Sequence, residues 1–424
     1  MDKIAESQAN ITDPIKQVWY ADDGTASGSI ESLKHMWECI TDIGPGFGYF
    51  PNAGKTILIV KGAENLPKAR VLFGKTGVTI STEGERHLGA AIGSTKFRDQ
   101  YVSDKVKGWV KDLEELSLIA KEEPQLEYSA YTKGISHRWS YLQRTVEGIH
   151  DLFQPLEDTL RSTLIPALIG REVSDVERDM IALPVRYGGL GLQNPVVIAE
   201  REFNASISIT EELTHLIYNQ DSDITKLNQQ TVNKKKEEIK LKKEAWFKQE
   251  RERILELMTT VTRKRAFQHA SEKGVSSWLT ALPLRSLGYC LNKQEFRNAI
   301  FIRYDWPIPN LHQQCACGEK NNIDHALTCK KGGYVYYRHN VLAEAEAELL
   351  REAKCRNVYT EPGLLPTVPE LHPKGTITTA GARLDIVATG LYGRCERTFM
   401  DVRITHPNAP SNRALSLEQI YSIV

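Results

Sequence analysis

The chain has 424 residues, of which 41% are hydrophobic and 25% are charged. This composition is typical of folded globular proteins and excludes wholesale disorder, and the length predicts about three domains. Because 54 Lys and Arg balance 54 Asp and Glu, a uniformly basic nucleic-acid-binding protein is excluded, and any nucleic-acid surface has to be a local patch.

The sequence predicts neither a membrane partner nor secretion. No run of about 18 apolar residues occurs, and the first residues, MDKIAESQANITDP, lack the apolar stretch of a signal peptide. We therefore expect a nuclear or cytoplasmic protein. Of the seven cysteines, three fall within residues 315–329 with a histidine between them, which favours metal ligation over disulfides in such a chain.

Residues 1–100 predict short strands separated by Gly-rich turns, around 17–21, 56–61 and 78–81. Between the first two, residues 29–44 place apolar side chains at helical spacing, which completes a β-α-β pattern. Residues 101–225 then read as mainly helical, with a Gly-rich break, LPVRYGGLGLQNP, at 183–195.

A charged helix is predicted from Thr231 to Met258, within a linker that spans 226–275. Residues 228–273 hold 13 Lys or Arg and 7 Asp or Glu, a local balance of +6. The helix is either a solvated connection with pairs of opposite charge one turn apart or a surface that faces phosphates. Composition does not separate these two alternatives.

The remaining sequence predicts two further domains. Residues 276–340 form a compact module rich in Trp and Cys, and residues 341–424 have an α/β pattern. In the latter, a helix is expected from Val341 to Lys354, and two strands are expected around Leu384–Ala388 and Thr398–Ile404. The fold class predicted for the whole chain is α+β and multidomain.

Two adjacent carboxylates follow the first predicted strand, in QVWYADDGTASG. Because side chains alternate along a strand, Asp22 and Asp23 converge only at the bend of a hairpin, which Gly24 favours. Converging carboxylates are stabilised by a hard cation such as Mg²⁺, and a pair of such ions supports nucleotidyl transfer. The alternative is an ordinary Asp-Asp-Gly turn.

The motif YADD at 20–23 resembles the catalytic hairpin of reverse transcriptases. Three further segments are similar to parts of that family in the same order: GYFPNAGKTILIVK (48–61), the primer-grip-like HLGAAIG (87–93), and LPVRYGGLGLQNP in non-LTR retrotransposon proteins. The resemblance implies a palm in residues 1–100 and a helical thumb or connector in 101–225. It also implies that Asp22 and Asp23 hold Mg²⁺ and that Lys55 lies near the incoming triphosphate.

One departure from the family concerns the polymerase centre. Related proteins bind their metals with an additional aspartate on an upstream strand, and only 19 residues precede Tyr20. We therefore expect a partial palm that does not polymerise DNA alone. A missing fingers and palm portion could act in trans.

The spacing C-x-C-x₇-H-x₃-C predicts a structural zinc site. Its ligands are Cys315, Cys317, His325 and Cys329, of which the last two share a face if they lie on a helix. The C-x-C spacing is shorter than usual, and His312 could compete as a ligand. The alternative is three buried free cysteines beside a surface histidine.

The cluster and its surroundings resemble the CCHC knuckle that lies upstream of a restriction-like endonuclease in one type of non-LTR retrotransposon protein. Lys330, Lys331, Arg338 and His339 could contact phosphate there. The interleaved side chains that could stack on bases are Tyr334, Tyr336 and Tyr337. Alternatively, these tyrosines pack the knuckle.

Two aspartates lie in the apolar segments ARLDIVA and FMDVRIT near the end of the sequence. Because unpaired burial of a carboxylate is costly, Asp385 and Asp401 predict a Mg²⁺ site that cleaves phosphodiesters, with Arg403 on the same face as Asp401 and Glu344 or Glu348 as further ligands. Alternatively, the aspartates pair with Arg383 or Arg403.

This arrangement resembles the PD-(D/E)xK nucleases, with Asp385 as the first acid and Asp401-Val402-Arg403 in the D-x-K position. Arginine replaces the usual lysine and cannot act as a base. In related elements the lysine can come from a later helix, so we expect the nuclease domain, 341–424, to be cut short.

Together these patterns predict part of a non-LTR retrotransposon protein that acts on DNA and RNA with Mg²⁺ and structural Zn²⁺. The alternative is a non-catalytic nucleic-acid-binding remnant or domesticated protein.

Overall fold

The computed structural model is a mixed α+β protein, 59% helical with small sheets, which is the fold class that the sequence predicts. The residues described are 14–20, 23–221, 223, 227–363 and 383–422. No helix in this part of the chain is long and apolar enough to cross a membrane.

The strands are short and pair mostly with their neighbours in sequence. They are β1 (Lys16–Tyr20), β2 (Asp23–Ser27), β3 (Ile57–Ile59), β4 (Thr79–Ser81), β5 (Gly84–His87), β6 (Ala90–Gly93), β7 (Arg356–Thr360), β8 (Ile386–Thr389) and β9 (Arg397–Met400). β1–β2 and β5–β6 are antiparallel hairpins, β3–β4 is a parallel pair, and β7-β8-β9 is an antiparallel sheet.

Helices occupy most of the rest of the described chain. In order, they are α1 (Ile30–Ile43), α2 (Leu66–Phe73), α3 (Thr95–Glu122), α4 (Pro124–Lys133), α5 (Ser140–Thr145), α6 (Gln154–Thr159), α7 (Ile165–Ile169), α8 (Asp175–Ala182), α9 (Pro195–Tyr218), α10 (Gln229–Leu257), α11 (Val261–Ala270), α12 (Ser277–Thr280), α13 (Lys293–Tyr304), α14 (Ile323–Thr328), α15 (Tyr334–Glu352) and α16 (Leu417–Ser422).

The chain divides into two compact units, each built from two stretches of sequence. The first unit comprises Met1–Leu257 and Ser276–Arg297, and the second comprises Met258–Val275 and Asn298–Val424. The charged segment predicted as one linker is therefore shared, because α10 belongs to the first unit and α11 to the second.

The first unit begins with the β1–β2 hairpin, in which Tyr20 pairs with Asp23 across the turn. Helix α1 follows because the Ser29 side chain caps it by accepting a hydrogen bond from the Ser32 N–H. The helix buries Met36 and Ile40 against Ile15. The apolar spacing that predicts this helix thus corresponds to its buried face.

The β-α-β pattern expected between 17–21 and 56–61 does not produce one sheet. The first of these strands pairs with β2, whereas β3 pairs in parallel with β4. The crossover helix of that parallel pair is α2, which buries Ala69 and Phe73 against Leu58. The short turn after β1 allows the local hairpin, which removes β1 from pairing with β3.

The helical part of the first unit has a core of fully buried side chains: Leu113, Phe153, Leu156, Leu160, Leu164 and Ile165. The Gly-rich break at 183–195 folds back against this core. A Cβ atom at Gly189 would lie 1.9 Å from the Leu183 carbonyl oxygen, so only glycine fits there. The Tyr128 hydroxyl then donates to the Leu190 carbonyl oxygen at 2.8 Å.

The long charged helix α10 is both packed and ion-paired within the first unit. Phe247 and Ile254 are buried on one of its faces. Lys235 pairs with Glu211 at 2.8 Å, and Lys243 pairs with Glu202 at 2.7 Å. These contacts favour the solvated connecting helix over the phosphate-facing surface, because some of its lysines already have acidic partners.

In the second unit, helix α15 packs on the sheet β7-β8-β9. Its Ala343, Ala347 and Leu350 contact Ile386 and Ala388 of the central strand, β8. Small residues on the helix allow this close approach, and the apolar central strand is buried by it. The ends of β8 and β9 carry the candidate carboxylates.

Candidate functional site

The first half of the Cys/His cluster (Cys315, Cys317, His325 and Cys329) lies on a tight turn. The Cys315 N–H donates to the Glu319 carbonyl oxygen at 2.9 Å, and the Gly318 N–H donates to the Cys315 carbonyl oxygen at 2.8 Å. Gly318 has a φ of +97°, a conformation that favours glycine. The turn thereby directs the two nearby cysteines to one side.

The second half of the cluster lies on helix α14. The side chain of Asn322 caps this helix by accepting a hydrogen bond from the His325 N–H at 2.8 Å. The Cys329 N–H donates to the His325 carbonyl oxygen at 2.8 Å, one helical turn on. The histidine and the last cysteine therefore share a face, as their spacing predicts.

The four ligand atoms lie within 4.8 Å of one another. Cys315 Sγ is 3.7 Å from Cys329 Sγ, and Cys317 Sγ is 3.2 Å from His325 Nε2. Tetrahedral zinc with bonds of about 2.3 Å to sulfur places two sulfurs about 3.8 Å apart. The Cys/His cluster could therefore bind zinc, and His312 is not a member of it.

Two thiols of the cluster have shifted acidities. A hydrogen bond from the Cys317 backbone, followed by one with His325, lowers the pKa of Cys315 to about 6. The Lys331 backbone N–H stabilises the Cys329 thiolate, but burial and the neighbouring thiols outweigh it and raise the pKa of Cys329. The surroundings of Cys315 thus favour its thiolate, the form that binds zinc.

The second candidate centre lies at the end of the β8–β9 ladder. Asp385 immediately precedes β8, and its Oδ2 accepts a hydrogen bond from the Val402 N–H at 2.5 Å. The same oxygen lies 3.3 Å from His339 Nε2. His339 comes from helix α15 and lies 3.0 Å from the Val402 carbonyl oxygen. The structure thus brings together a predicted catalytic residue and a predicted phosphate ligand.

The neighbours of His339 favour its protonated form. Partial burial alone would lower its pKa, but hydrogen bonding to Asn340 and the charge of Asp385 raise the pKa above its ordinary value. A histidine held beside a carboxylate can donate or accept a proton near neutral pH.

Asp401 and Arg403 lie beyond the end of the observed strand β9, although the strand predicted for 398–404 contains both. The last ladder pair is Ile386 with Met400, so Asp385 and Asp401 each lie one residue past it. Asp401 and Arg403 are exposed, which corrects the expectation of a buried carboxylate on a strand reaching 404. The strand ends at Met400, and the backbone then turns to bond the Asp385 side chain.

Two further residues considered for this centre have other partners. Glu344, one of the two proposed additional acids, pairs with Arg351 at 2.9 Å on its own helix, and Arg383, proposed as an alternative partner of the aspartates, pairs with Glu361 at 3.3 Å. In the described chain, the Cys/His cluster is the one group of three or more possible ligands whose atoms come within 4.8 Å. The two aspartates, Asp385 and Asp401, are therefore adjacent at a strand end without forming a three-ligand cage.

An exposed basic and aromatic surface follows the Cys/His cluster. Lys330 and Lys331 are exposed, as are Tyr334 at 52% and Tyr336 and Tyr337 at 67% each. With this exposure, the tyrosines do not serve mainly to pack the knuckle.

Arg338 differs from the lysines of this surface because it is half-buried and donates from Nη2 to the Leu327 carbonyl oxygen at 3.1 Å. The predicted phosphate ligands therefore do not form one continuous patch. The two lysines lie on the exposed surface, whereas Arg338 and His339 point toward other parts of the second unit.

The polymerase-like residues are described in part. Tyr20 and Asp23 are exposed on the hairpin, and Lys55 is exposed at the end of a 3-10 turn, Ala53–Lys55. Asp22 lies outside the described residues. Asp23 belongs to no group of three possible metal ligands in the described chain.

Three ionisable arrangements were not predicted from the sequence. In the second unit, His406 Nε2 lies 2.8 Å from the Asp324 carboxylate. In the first unit, Glu127 is buried, and Arg178 forms a two-pronged hydrogen bond with Glu157 at 2.7 and 2.6 Å. For the His406–Asp324 pair, the sequence offers one signal, the position of Asp324 directly before the ligand His325. The burial of Glu127 and the Arg178–Glu157 pair depend on packing between residues distant in sequence.

No protein-family model, no curated protein and no solved structure matches the chain.

Proposed function

We propose that the chain is part of a non-LTR retrotransposon protein of the restriction-like-endonuclease type, and that its second unit nicks DNA. The observation that carries this proposal is the position of Asp385 and Asp401, each one residue past the β8–β9 ladder. Two antiparallel strand ends thereby present two carboxylates at one edge of the sheet. The resemblance to the PD-(D/E)xK motif supports the same assignment.

The residues at this edge have complementary chemical roles in the proposed reaction. Mg²⁺, which often binds through one or two carboxylates and keeps several waters, would activate a water and neutralise charge on the phosphate. The Val402 N–H holds the Asp385 carboxylate in place. His339 can transfer a proton, and Arg403 stabilises negative charge because it remains protonated.

The Cys/His cluster has a structural role in this proposal. Its four protein ligands leave no open position for a reacting water, as in other structural zinc sites. Zinc would fix the short helix α14 and, directly after it, the exposed Lys330 and Lys331. The aromatic surface of α15 then begins three residues further on, at Tyr334.

For the first unit we propose a reverse-transcriptase palm with a helical thumb or connector. Two antiparallel hairpins support this proposal: β1–β2 contains Tyr20 and Asp23 of the motif YADD, and β5–β6 contains most of HLGAAIG. Asp22 and Asp23 would bind Mg²⁺, and Lys55 would contact the triphosphate.

A plasmid-nicking assay tests the endonuclease assignment. The zinc-loaded chain is incubated with supercoiled DNA and Mg²⁺, beside Asp385→Asn and Asp401→Asn variants. We expect nicking by the parent chain and a loss of at least 100-fold in both variants. The matched control is Glu352→Gln, an exposed acid at the end of α15, which should nick at the parent rate. Absence of Mg²⁺-dependent nicking by the folded parent chain would refute the assignment.

A second candidate function is non-catalytic nucleic-acid binding. The exposed Lys330, Lys331 and tyrosines beside the Cys/His cluster favour it, since lysines and stacking aromatic rings suffice for binding. This function predicts salt-sensitive binding that persists in the Asp385→Asn and Asp401→Asn variants without any turnover.

A further inference from the structure

A cavity of about 270 Å³ lies inside the second unit and is separate from the Cys/His cluster. Four stretches of chain form its wall: the end of α14, the start of α15, residues 403–406 after β9, and the C-terminal residues around α16. The first two stretches lie within residues 327–338 and the last two within 403–420, and because these two segments are far apart in sequence, no local pattern predicts the cavity. Its volume lies near the lower end of the range for small-ligand pockets, which run from about 300 Å³ upward.

The cavity wall contains basic side chains and no described acidic ones. Arg338, Arg403 and His406 line it, together with hydroxyl and amide side chains, and no Asp or Glu is among the described lining residues. Arginine matches the geometry of phosphate oxygens with parallel N–H donors and remains protonated. The wall therefore has the charge and the donors of an anion site.

Arg338 is fixed in the cavity wall, but the described protein groups do not use all of its N–H donors. Its Nη2 donates to the Leu327 carbonyl oxygen at 3.1 Å. Its Nε is buried and has no hydrogen-bond partner in the described part of the chain. A guanidinium group has five N–H donors, so this one retains donor capacity while its position is fixed.

His406 is oriented from outside the cavity. Its Nε2 lies 2.8 Å from a carboxylate oxygen of Asp324, which is not a lining residue. Asp324 precedes the cluster residue His325 in helix α14. The fold of the Cys/His cluster thus sets the position of one side of the cavity.

The cavity and the carboxylate edge are joined through consecutive residues. Arg338 lines the cavity while His339 lies beside Asp385, and Arg403 lines the cavity while the Val402 N–H holds the Asp385 carboxylate. Helix α15 and the segment after β9 therefore each contribute one residue to the cavity and one to the carboxylate edge. A group bound in the cavity lies next to the proposed cleavage centre.

We propose that this cavity binds a phosphate group through Arg338 and Arg403. The two sources of such a group are the backbone of a nucleic-acid strand and a free phosphate. The assignment of this phosphate to a nucleic-acid strand rests on the proposed function. The phosphate site itself rests on the cavity and its arginines.

Binding of a labelled 12-nucleotide single strand to the full zinc-loaded chain tests this inference, measured by fluorescence anisotropy without Mg²⁺. We expect Arg403→Met and Arg338→Met each to weaken binding about tenfold and to lower the slope of log affinity against log salt by about one. The matched control is Arg351→Met, which removes an exposed arginine of the same helix that pairs with Glu344. It should bind within twofold of the parent chain.

Zinc content and circular dichroism establish that each variant is folded, and the exposed Arg403 keeps the test usable if Arg338→Met unfolds. Equal binding by Arg403→Met and Arg351→Met would overturn the phosphate site. Displacement of the strand by millimolar inorganic phosphate supports a site for the free anion, and displacement only by oligonucleotides supports the backbone. Because Mg²⁺ is omitted, weakened binding in the variants upholds the cavity even if the parent chain never nicks DNA.

Discussion

Glu127 is a carboxyl group without a partner in the helical core of the first unit. Both of its carboxylate oxygens are buried and lack a hydrogen-bond partner among the described residues. Burial raises its pKa to about 8, because an apolar environment disfavours the charged form. No sequence pattern marks this position, since Glu127 lies in an ordinary polar stretch, PQLEYSAYTK, and only the packing of distant helices buries it.

The shifted pKa of Glu127 predicts that the first unit loses stability as the pH rises. Between about pH 4.5 and pH 8 the folded chain retains a proton that the unfolded chain has released, so the free energy of unfolding falls over this range. We expect a loss of a few kcal/mol, at about 1.4 kcal/mol for each unit of pKa difference. Glu127→Gln should remove most of this dependence and be the more stable protein at pH 9.

Denaturant unfolding of the parent chain and the Glu127→Gln variant at pH 5 and pH 9 provides the measurement. The control is Glu123→Gln, which alters the exposed acid immediately before this stretch and should retain the parent pH profile. Identical pH profiles for the parent and Glu127→Gln would contradict the assignment of the shift to this residue.

Local patterns predicted individual elements well and their partners less well. The charged helix was expected at 231–258 and is Gln229–Leu257, because apolar spacing and charge pairing act within one helix. The strand expected to reach Ile404 ends at Met400. Apolar residues continue past that point, but the backbone leaves the ladder there. The Val402 N–H instead donates to the Asp385 side chain, 17 positions away in sequence.

The same distinction applies to the candidate sites. The Cys/His cluster could be predicted because its spacing is short and its ligands lie on one turn and one helix. The pairing of His339 with Asp385, and the cavity beside it, depend on how α15 packs on the sheet. His339 and Asp385 are 46 positions apart, and the cavity joins residues 327–338 to residues 403–420, so the sequence predicted individual residues but not their grouping.

Helix α14 has six residues, too few for a helix to be stable in water without tertiary support. We therefore expect its order to depend on zinc at the Cys/His cluster. Cys317→Ser should reduce the zinc content from one ion per chain to none, measured by atomic emission. Trypsin should then cleave after Lys330 or Lys331 at least tenfold faster.

The matched control for this prediction is Cys395→Ser, which alters an exposed free cysteine of the same unit. It should keep one zinc per chain and the parent rate of cleavage. Retention of zinc by the Cys317→Ser variant would show that the metal is held elsewhere.

Because the net charge of the whole molecule is zero, a nucleic acid would have to bind at a local basic patch. We expect a Lys330→Gln/Lys331→Gln variant to reduce the salt slope of single-strand binding by about two, since each lysine that contacts phosphate contributes about one. Anisotropy titrations between 50 and 200 mM salt measure this slope. Over this range we expect the affinity to change by roughly tenfold or more.

Two exposed lysines of α10, Lys234 and Lys236, provide the comparison. Their double replacement by glutamine should leave the slope unchanged if α10 is a solvated helix of the first unit. An equal reduction in both double variants would instead make the charged helix a second phosphate-facing surface, which was the alternative left open by its composition.

The division of the chain into two interrupted units has a consequence for synthesis. The first unit is completed only when residues 276–297 have left the ribosome, and by then helix α11 of the second unit has already emerged. Within the second unit, Arg265 and His269 of α11 bond Leu415 and Tyr421 at the far end of the chain. Neither unit can therefore complete its fold before part of the other unit has been synthesised.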